Sequence, residues 1–146
     1  MKTLNIKLLR DNAKVPGRAT NGSVGYDVAA CLDNSIVIDP GETGMVGSGF
    51  AIAWENGYAA FLYARSGLGI KHGIVPGNCV GVIDSDYRGE IIVGLRNNSG
   101  NSFTVNNGDR IAQMVIAKCE TPEITVVDNL DETTRGAGGF GSTDKK

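Results

Sequence analysis

The chain has 146 residues, 21 glycines and a net charge of −2. That length suits one domain with a substantial core, and the charge supplies no basic footprint for nucleic acid. No apolar run approaches the ~18 residues of a membrane span, and the first residues lack the continuous apolar stretch of a signal peptide.

Leu4, Ile6 and Leu8 alternate with Asn5 and Lys7, which predicts a half-buried strand. Residues 11–23 are polar and contain glycine, so they read as a loop. Residues 24–30 predict a second strand with an acid, Asp27, in its middle. Residues 35–38 predict a third, stopped by the turn Asp39-Pro40-Gly41. Residues 43–54 read as extended, and Asn56-Gly57 is the preferred pair for a tight hairpin with residues 58–63 returning. Residues 66–71 predict one short helical turn with Ser66 as its cap. Further strands are predicted at 74–75, 80–83, 90–95, 102–105, 110–117 and 123–127. No long window repeats apolar residues at helical spacing, so the chain reads as all-β: a sandwich, a jelly roll or a closed barrel. From Asp128 onward no apolar pattern holds the chain to a core. The expected organisation is a domain over 1–127 and a flexible, Gly-rich arm over 128–146.

The chemistry concentrates in a few places. Asp84 follows the apolar Val82-Ile83, where an acid is either a turn former or a carboxylate at a pocket wall. Tyr87 offers a flat ring beside it, and Arg88 and Gly89 close the turn. Asp84-x-Asp86-x-x-Gly89 begins like a calcium loop, but the fifth and twelfth positions hold Arg88 and Leu95, which excludes one. Asp27 interrupts its strand as Asp84 does. Arg65-Ser66-Gly67 offers a hydroxyl and free N–H groups to an anion, or is a plain helix cap. Gln113, in the strand after Gly108-Asp109-Arg110, either faces outward or meets phosphate. Gly136, Gly138 and Gly141 spell Gly-x-Gly-x-x-Gly with no helix to follow, which excludes a dinucleotide fold. What remains there is a solvated tail, or a nest of backbone N–H groups flanked by Arg135, Ser142 and Thr143, with Phe140 able to stack on a base. Two isolated carboxylates among several anion-binding elements imply a magnesium-bridged phosphate substrate. His72 is the lone histidine, which leaves a catalytic triad little support. Cys31, Cys79 and Cys119 are far apart with no Cys-x-x-Cys, and predict buried free thiols in a reducing, cytoplasmic setting.

Five segments in order carry a resemblance: Gly25-Tyr26-Asp27, Arg65-Ser66-Gly67-Leu68, Gly77-Asn78 through Gly89, Gly108-Asp109-Arg110-Ile111-Ala112-Gln113, and Arg135-Gly136 through Gly141-Ser142-Thr143. Over residues 3–143 the chain resembles the homotrimeric dUTPases (deoxyuridine triphosphate nucleotidohydrolases). The resemblance implies a jelly-roll-like β-barrel of the β-clip kind, assembled as a homotrimer with active sites between subunits and no nucleic-acid or membrane partner. It implies Mg2+-dependent hydrolysis of dUTP to dUMP and pyrophosphate by water attack on the α-phosphate, which keeps uracil out of DNA and supplies dUMP for thymidylate synthesis. By resemblance, Asp84 orients and activates the water. Asn78 bonds uracil, helped by the backbone of Gly81, Val82 and Ile83. Tyr87 lies under the deoxyribose and excludes a 2′-hydroxyl. Asp27 holds a magnesium-bound water while the triphosphate holds most of the ion. Ser66, Gly67 and Gln113 address phosphates, and Arg65 binds substrate beside them. In the arm, Arg135 grips the γ-phosphate and Phe140 stacks over uracil, with Gly141 and Ser142 beside it. One departure is Ala64, where the family commonly has proline. Two alternatives are a dCTP deaminase, disfavoured because Gly94 stands where that enzyme has a glutamate, and a trimeric regulatory protein without turnover.

Overall fold

The computed structural model describes residues 3–139. Short apolar runs punctuated by glycine fold there as eleven strands and one helix. In chain order these are β1 (Asn5–Leu8), β2 (Tyr26–Ala29), β3 (Ile36–Ile38), β4 (Thr43–Gly47), β5 (Phe50–Ala53) and β6 (Tyr58–Tyr63). Then come α1 (Ser66–His72), β7 (Ile74–Pro76), β8 (Gly81–Ile83), β9 (Ile92–Asn97), β10 (Phe103–Val105) and β11 (Arg110–Lys118). The all-β reading with one very short helix therefore stands.

The ladders do not close into a barrel among the described residues. They form a four-stranded sheet in the order β2-β11-β6-β8, a three-stranded sheet β4-β9-β7, and the ribbons β1-β5 and β10-β3. All pairings are antiparallel. Ten of the eleven strands described are only three to six residues long, and each ladder is limited to those short runs. Burial unites them instead: Val28 and Met114 from the first sheet, Leu95 and Ile74 from the second, and Phe50 and Val105 from the ribbons share one core. At about 25 cal/mol per Å² of apolar surface, that shared core is the main stabilising term.

Several expectations change. The extended run 43–54 is two strands, broken at Gly49 with φ 73°. A Cβ at Gly49 would meet Cys31 Sγ at 2.5 Å and Ala13 Cβ at 2.7 Å, so only glycine fits. The chain bends at Asn56-Gly57, with Gly57 at φ 83°, but the expected hairpin does not form: β5 and β6 do not pair. β5 pairs with β1, and β6 with β11 and β8. Ser66 is the first residue of α1 rather than its cap; Arg65 holds the cap position and makes no side-chain cap bond. Residues 123–127 form no strand, and Ile124 and Val126 are 95% and 94% exposed. Of the cysteines only Cys31 is buried, its thiol donating to Asn12 Oδ1 at 3.0 Å; Cys79 is exposed and Cys119 half-buried. No helix among the described residues is long and apolar enough to cross a membrane.

Candidate active site

The first half of the site is built by β11. This strand lies between β2 and β6, and its Gln113 is opposite Asp27 on one side and Tyr63 on the other. The chain leaves Tyr63 through Ala64 into Arg65 and the start of α1. One register thus gathers three distant segments at one place. The Gln113 amide Nε2 donates to the Ala64 carbonyl at 2.9 Å, which fixes the approach to Arg65-Ser66-Gly67. Asp27 is only 22% exposed at its side chain and both its oxygens are used. Oδ1 accepts from Arg65 Nε at 2.8 Å and Oδ2 from Arg110 Nη1 at 3.0 Å. Gly25, Asp27, Arg65, Ser66, Gly67 and Gln113 line a cleft of about 330 Å³. The N–H groups of the first turn of α1 lack intrahelical partners. With the guanidinium and the Ser66 hydroxyl they make a donor-rich wall suited to phosphate oxygens. Arg110 was not singled out in the sequence. It follows an ordinary Gly-Asp turn, and its partner is 83 residues away.

The second half is built around β8. The turn from β7 is tight: Cys79 N–H donates to Pro76 O at 3.0 Å and Val80 N–H to Asn78 O at 2.7 Å, with Cys79 at φ 65°. Asn78, Gly81, Val82 and Ile83 line a cleft of about 560 Å³ with Thr43 and Met45. It meets a smaller cleft of about 190 Å³ that shares Val82 and Ile83 and adds Asp84, Tyr87 and Glu90. Asp84 is exposed there. The turn after it is closed by Tyr87 N–H to Asp84 O at 3.1 Å and by Arg88 Nη1 to Ser85 O at 2.7 Å and to Tyr87 O at 2.9 Å. The Tyr87 hydroxyl donates to Glu90 O at 3.1 Å. Its ring lies against Gly89, where any Cβ would strike it.

The two halves do not meet within one chain. β2 and β8 are opposite edges of the four-stranded sheet, three interstrand steps or about 14 Å apart. No cleft among those described is lined by residues of both groups. Arg135 is in neither: it sits in an exposed turn, its Nε donating to Gly138 O at 2.9 Å. Phe140, Gly141 and Ser142 lie outside the described residues. Among the described residues no group of three His, Cys, Asp or Glu side chains could cage a metal ion.

The dUTPase family model matches residues 11–144 of the chain. This chain belongs to the dUTPase family. The dUTPase match includes both clefts and every candidate residue from Asp27 to Ser142. A deoxyuridine 5′-triphosphate nucleotidohydrolase of Hahella chejuensis is 49% identical over 141 residues, covering 96% of this chain and 93% of its own. The protein of the same name from Paraburkholderia phytofirmans is 47% identical over 145 residues, covering 97% and 98%. Among solved structures, a point mutant of the Staphylococcus bacteriophage 80alpha dUTPase with dUpNHpp superposes with a TM-score of 0.89. It is 28% identical and covers 98% of this chain and 99% of its own. A mutant dUTPase from phage phi11 of S. aureus, described with a structural Mg(II) ion, has a TM-score of 0.82 at 26% identity, covering 90% and 100%. The dUTPase likeness thus spans the whole sheet framework that carries the two clefts.

Proposed function

We propose that the chain hydrolyses dUTP to dUMP and pyrophosphate, with Asp84 orienting the water that attacks the α-phosphorus. The observation that carries this is the sorting of the dUTPase-matched segments into two complementary clefts. One holds a carboxylate and an aromatic ring beside open strand backbone; the other holds phosphate donors. Asn78 and the backbone of Gly81, Val82 and Ile83 take uracil, and the Tyr87 ring supports the deoxyribose. Arg65, Ser66, Gly67 and Gln113 hold phosphates and align the α-phosphorus with the water. A positioned base of this kind contributes about 10²–10⁴-fold, so charge compensation and alignment must supply the rest. Magnesium carried by the triphosphate neutralises phosphate charge when bound. The lack of a carboxylate cage among the described residues suits an ion held that way. Each Asp27 oxygen keeps a free lone pair beside its arginine and can accept from a water of the ion's shell.

The functional unit is a homotrimer with shared sites. Asp84 and Asp27 lie toward opposite sheet edges, so a site forms where the β8 edge of one copy faces the β2 edge of another. Met45, Val82 and Ile92 around the larger cleft are 65%, 60% and 46% exposed, an apolar rim suited to cover by a second copy. The arm 128–146 completes a neighbouring site, with Arg135 on the γ-phosphate and Phe140, Gly141 and Ser142 closing over uracil.

Release of pyrophosphate from dUTP tests the activity. Ammonia released from dCTP instead would establish the deaminase reading. The shared site is tested by mixing two inactive proteins: chains ending at residue 134 with Asp84 intact, and full-length chains carrying Asp84→Asn. Unfolded, mixed and refolded, they should regain dUTP hydrolysis, because some sites then pair an intact Asp84 with an intact arm. If the arm served the Asp84 of its own chain, no site in any mixture could hold both groups. Mixed trimers confirmed by mass that stay inactive therefore sink the shared site.

A further inference from the structure

We propose that Glu90 is a positioning residue that fixes the Tyr87 ring and thereby sets selectivity for the deoxy sugar; this rests on the placement of Tyr87 under that sugar. Glu90 follows Gly89 at the end of the Asp84 turn, and its side chain reaches into the loop between β4 and β5. There Oε1 accepts the Gly49 N–H at 2.7 Å. The loop is closed around the carboxylate. A Cβ at Gly47 would lie 2.5 Å from Oε1, and Gly49 at φ 73° is backed by Cys31 and Ala13. A carboxylate accepting from an amide is a charge-assisted bond, stronger than a neutral one.

The backbone beside Glu90 is tied to the same loop. Ile91 N–H donates to Phe50 O at 3.0 Å, and Ser48 N–H to Ile91 O at 3.0 Å. The peptide joining Glu90 to Ile91 is planar, with its N–H and carbonyl on opposite sides. Its N–H side is held by Phe50, and its carbonyl accepts the Tyr87 hydroxyl at 3.1 Å. Tyr87 is 44% exposed, so burial alone holds the ring weakly. Its place is set by the hydroxyl bond at one end and by Gly89 beneath it. The chain of contacts is therefore Gly49 to the Glu90 carboxylate, the Glu90 carbonyl to the Tyr87 hydroxyl, and the ring to the sugar. A ring loosened at its hydroxyl has other rotamers open to it and no longer excludes a 2′-hydroxyl by volume.

The test compares kcat/KM for dUTP and for UTP in wild type, Glu90→Ala, Glu90→Gln, Tyr87→Phe, Tyr87→Ala and the double variant Tyr87→Ala with Glu90→Ala. Glu90→Ala should lower the dUTP/UTP ratio about fivefold to tenfold, the net scale of the single Tyr87 hydroxyl bond that it loosens, with more of the change in KM than in kcat. Glu90→Gln keeps an acceptor oxygen and should recover most of the ratio. Tyr87→Phe removes only the hydroxyl and should lower the ratio to a similar degree; it carries the test if Glu90→Ala does not fold. Adding Glu90→Ala to Tyr87→Ala should change the ratio no further. A wild-type ratio in Glu90→Ala or in Tyr87→Phe, with the ratio lowered in Tyr87→Ala, overturns the role of Glu90 and leaves the placement of Tyr87 standing. So does a further drop in the double variant. An unchanged ratio in Tyr87→Ala overturns that placement itself.

Discussion

Gly25 lines the cleft of Asp27, Arg65 and Gln113, and there a small perturbation meets a side chain directly. A Cβ at this position would lie 2.7 Å from the Gln113 Oε1, whereas ordinary contact begins at 3.4 Å. In Gly25→Ala the amide must therefore retreat by about 0.7 Å, the difference between those values. That amide also donates to Ala64 O at 2.9 Å and cannot retreat without stretching the bond. Its loss is worth about 1 kcal/mol net, or roughly fivefold in an equilibrium. The contact is with the end of a side chain rather than with backbone, so the sheet register is kept and the midpoint of melting should move by no more than about 2–4 °C. The expected outcome is a fall of about fivefold in kcat/KM for dUTP, read from initial rates of pyrophosphate release. Gln113→Ala alone should lose at least as much, and the double variant no more than Gln113→Ala. Ala64→Pro, which fixes φ at that residue, should restore part of the loss in Gly25→Ala. A Gly25→Ala enzyme within about twofold of wild type in kcat/KM would falsify the idea that Gln113 tethers the approach to Arg65.

Asp84→Asn keeps the shape of the side chain but not its basicity, so kcat should fall about 10²–10⁴-fold while calorimetry shows a non-hydrolysable dUTP analogue still bound; a loss under about tenfold counts against Asp84 as the base. Arg110→Ala removes one of the two cations on Asp27; because Arg110 is 56% exposed, stability should drop by less than about 1 kcal/mol, whereas KM for dUTP should rise about fivefold through loosening of Asp27 and Arg65. An unmoved KM assigns Arg110 to the framework alone. Cys79 holds φ 65° without being glycine, so Cys79→Gly should relieve strain of about 1–2 kcal/mol less the added unfolded-state entropy, raising the melting midpoint with hydrolysis intact; a lowered midpoint shows that the thiol contributes more than the strain costs.

The fold was legible in the sequence wherever its cause was local. Asn56-Gly57 has the chemistry of a tight turn, and the chain does bend there, with Gly57 at φ 83°, but the hairpin expected of it does not form. The partners of the strands it joins were not legible, because pairing is decided by burial far along the chain. Phe50, Ala51 and Ile52 are buried on β5, and the strand that covers that edge is β1, more than forty residues earlier. The run 123–127 shows the same limit. Its alternation is that of a strand, yet Ile124 and Val126 are almost wholly exposed. A period of two records that one face is to be buried; it does not record which chain buries it.

The candidate site was picked out in the sequence through residues that break a local rule. An acid inside an apolar strand is costly unless it has partners, so Asp27 stood out, and it has two; Asp84 stood out as an acid directly after the apolar Val82-Ile83, and it is exposed. Arg110 and Glu90 break no such rule. A charged residue beside a turn is ordinarily solvated, and only the tertiary pairing gives either one a task. That pairing also sets a limit on the phosphate cleft. Around Asp27 there are two guanidiniums and one carboxylate, a net of one positive charge. A triphosphate brings several negative charges into the same space. A cleft so poor in net charge cannot neutralise it from one chain's described side chains. On the proposed reading that charge is met by Arg135 from a chain end, on the γ-phosphate, and by a divalent ion arriving with the substrate.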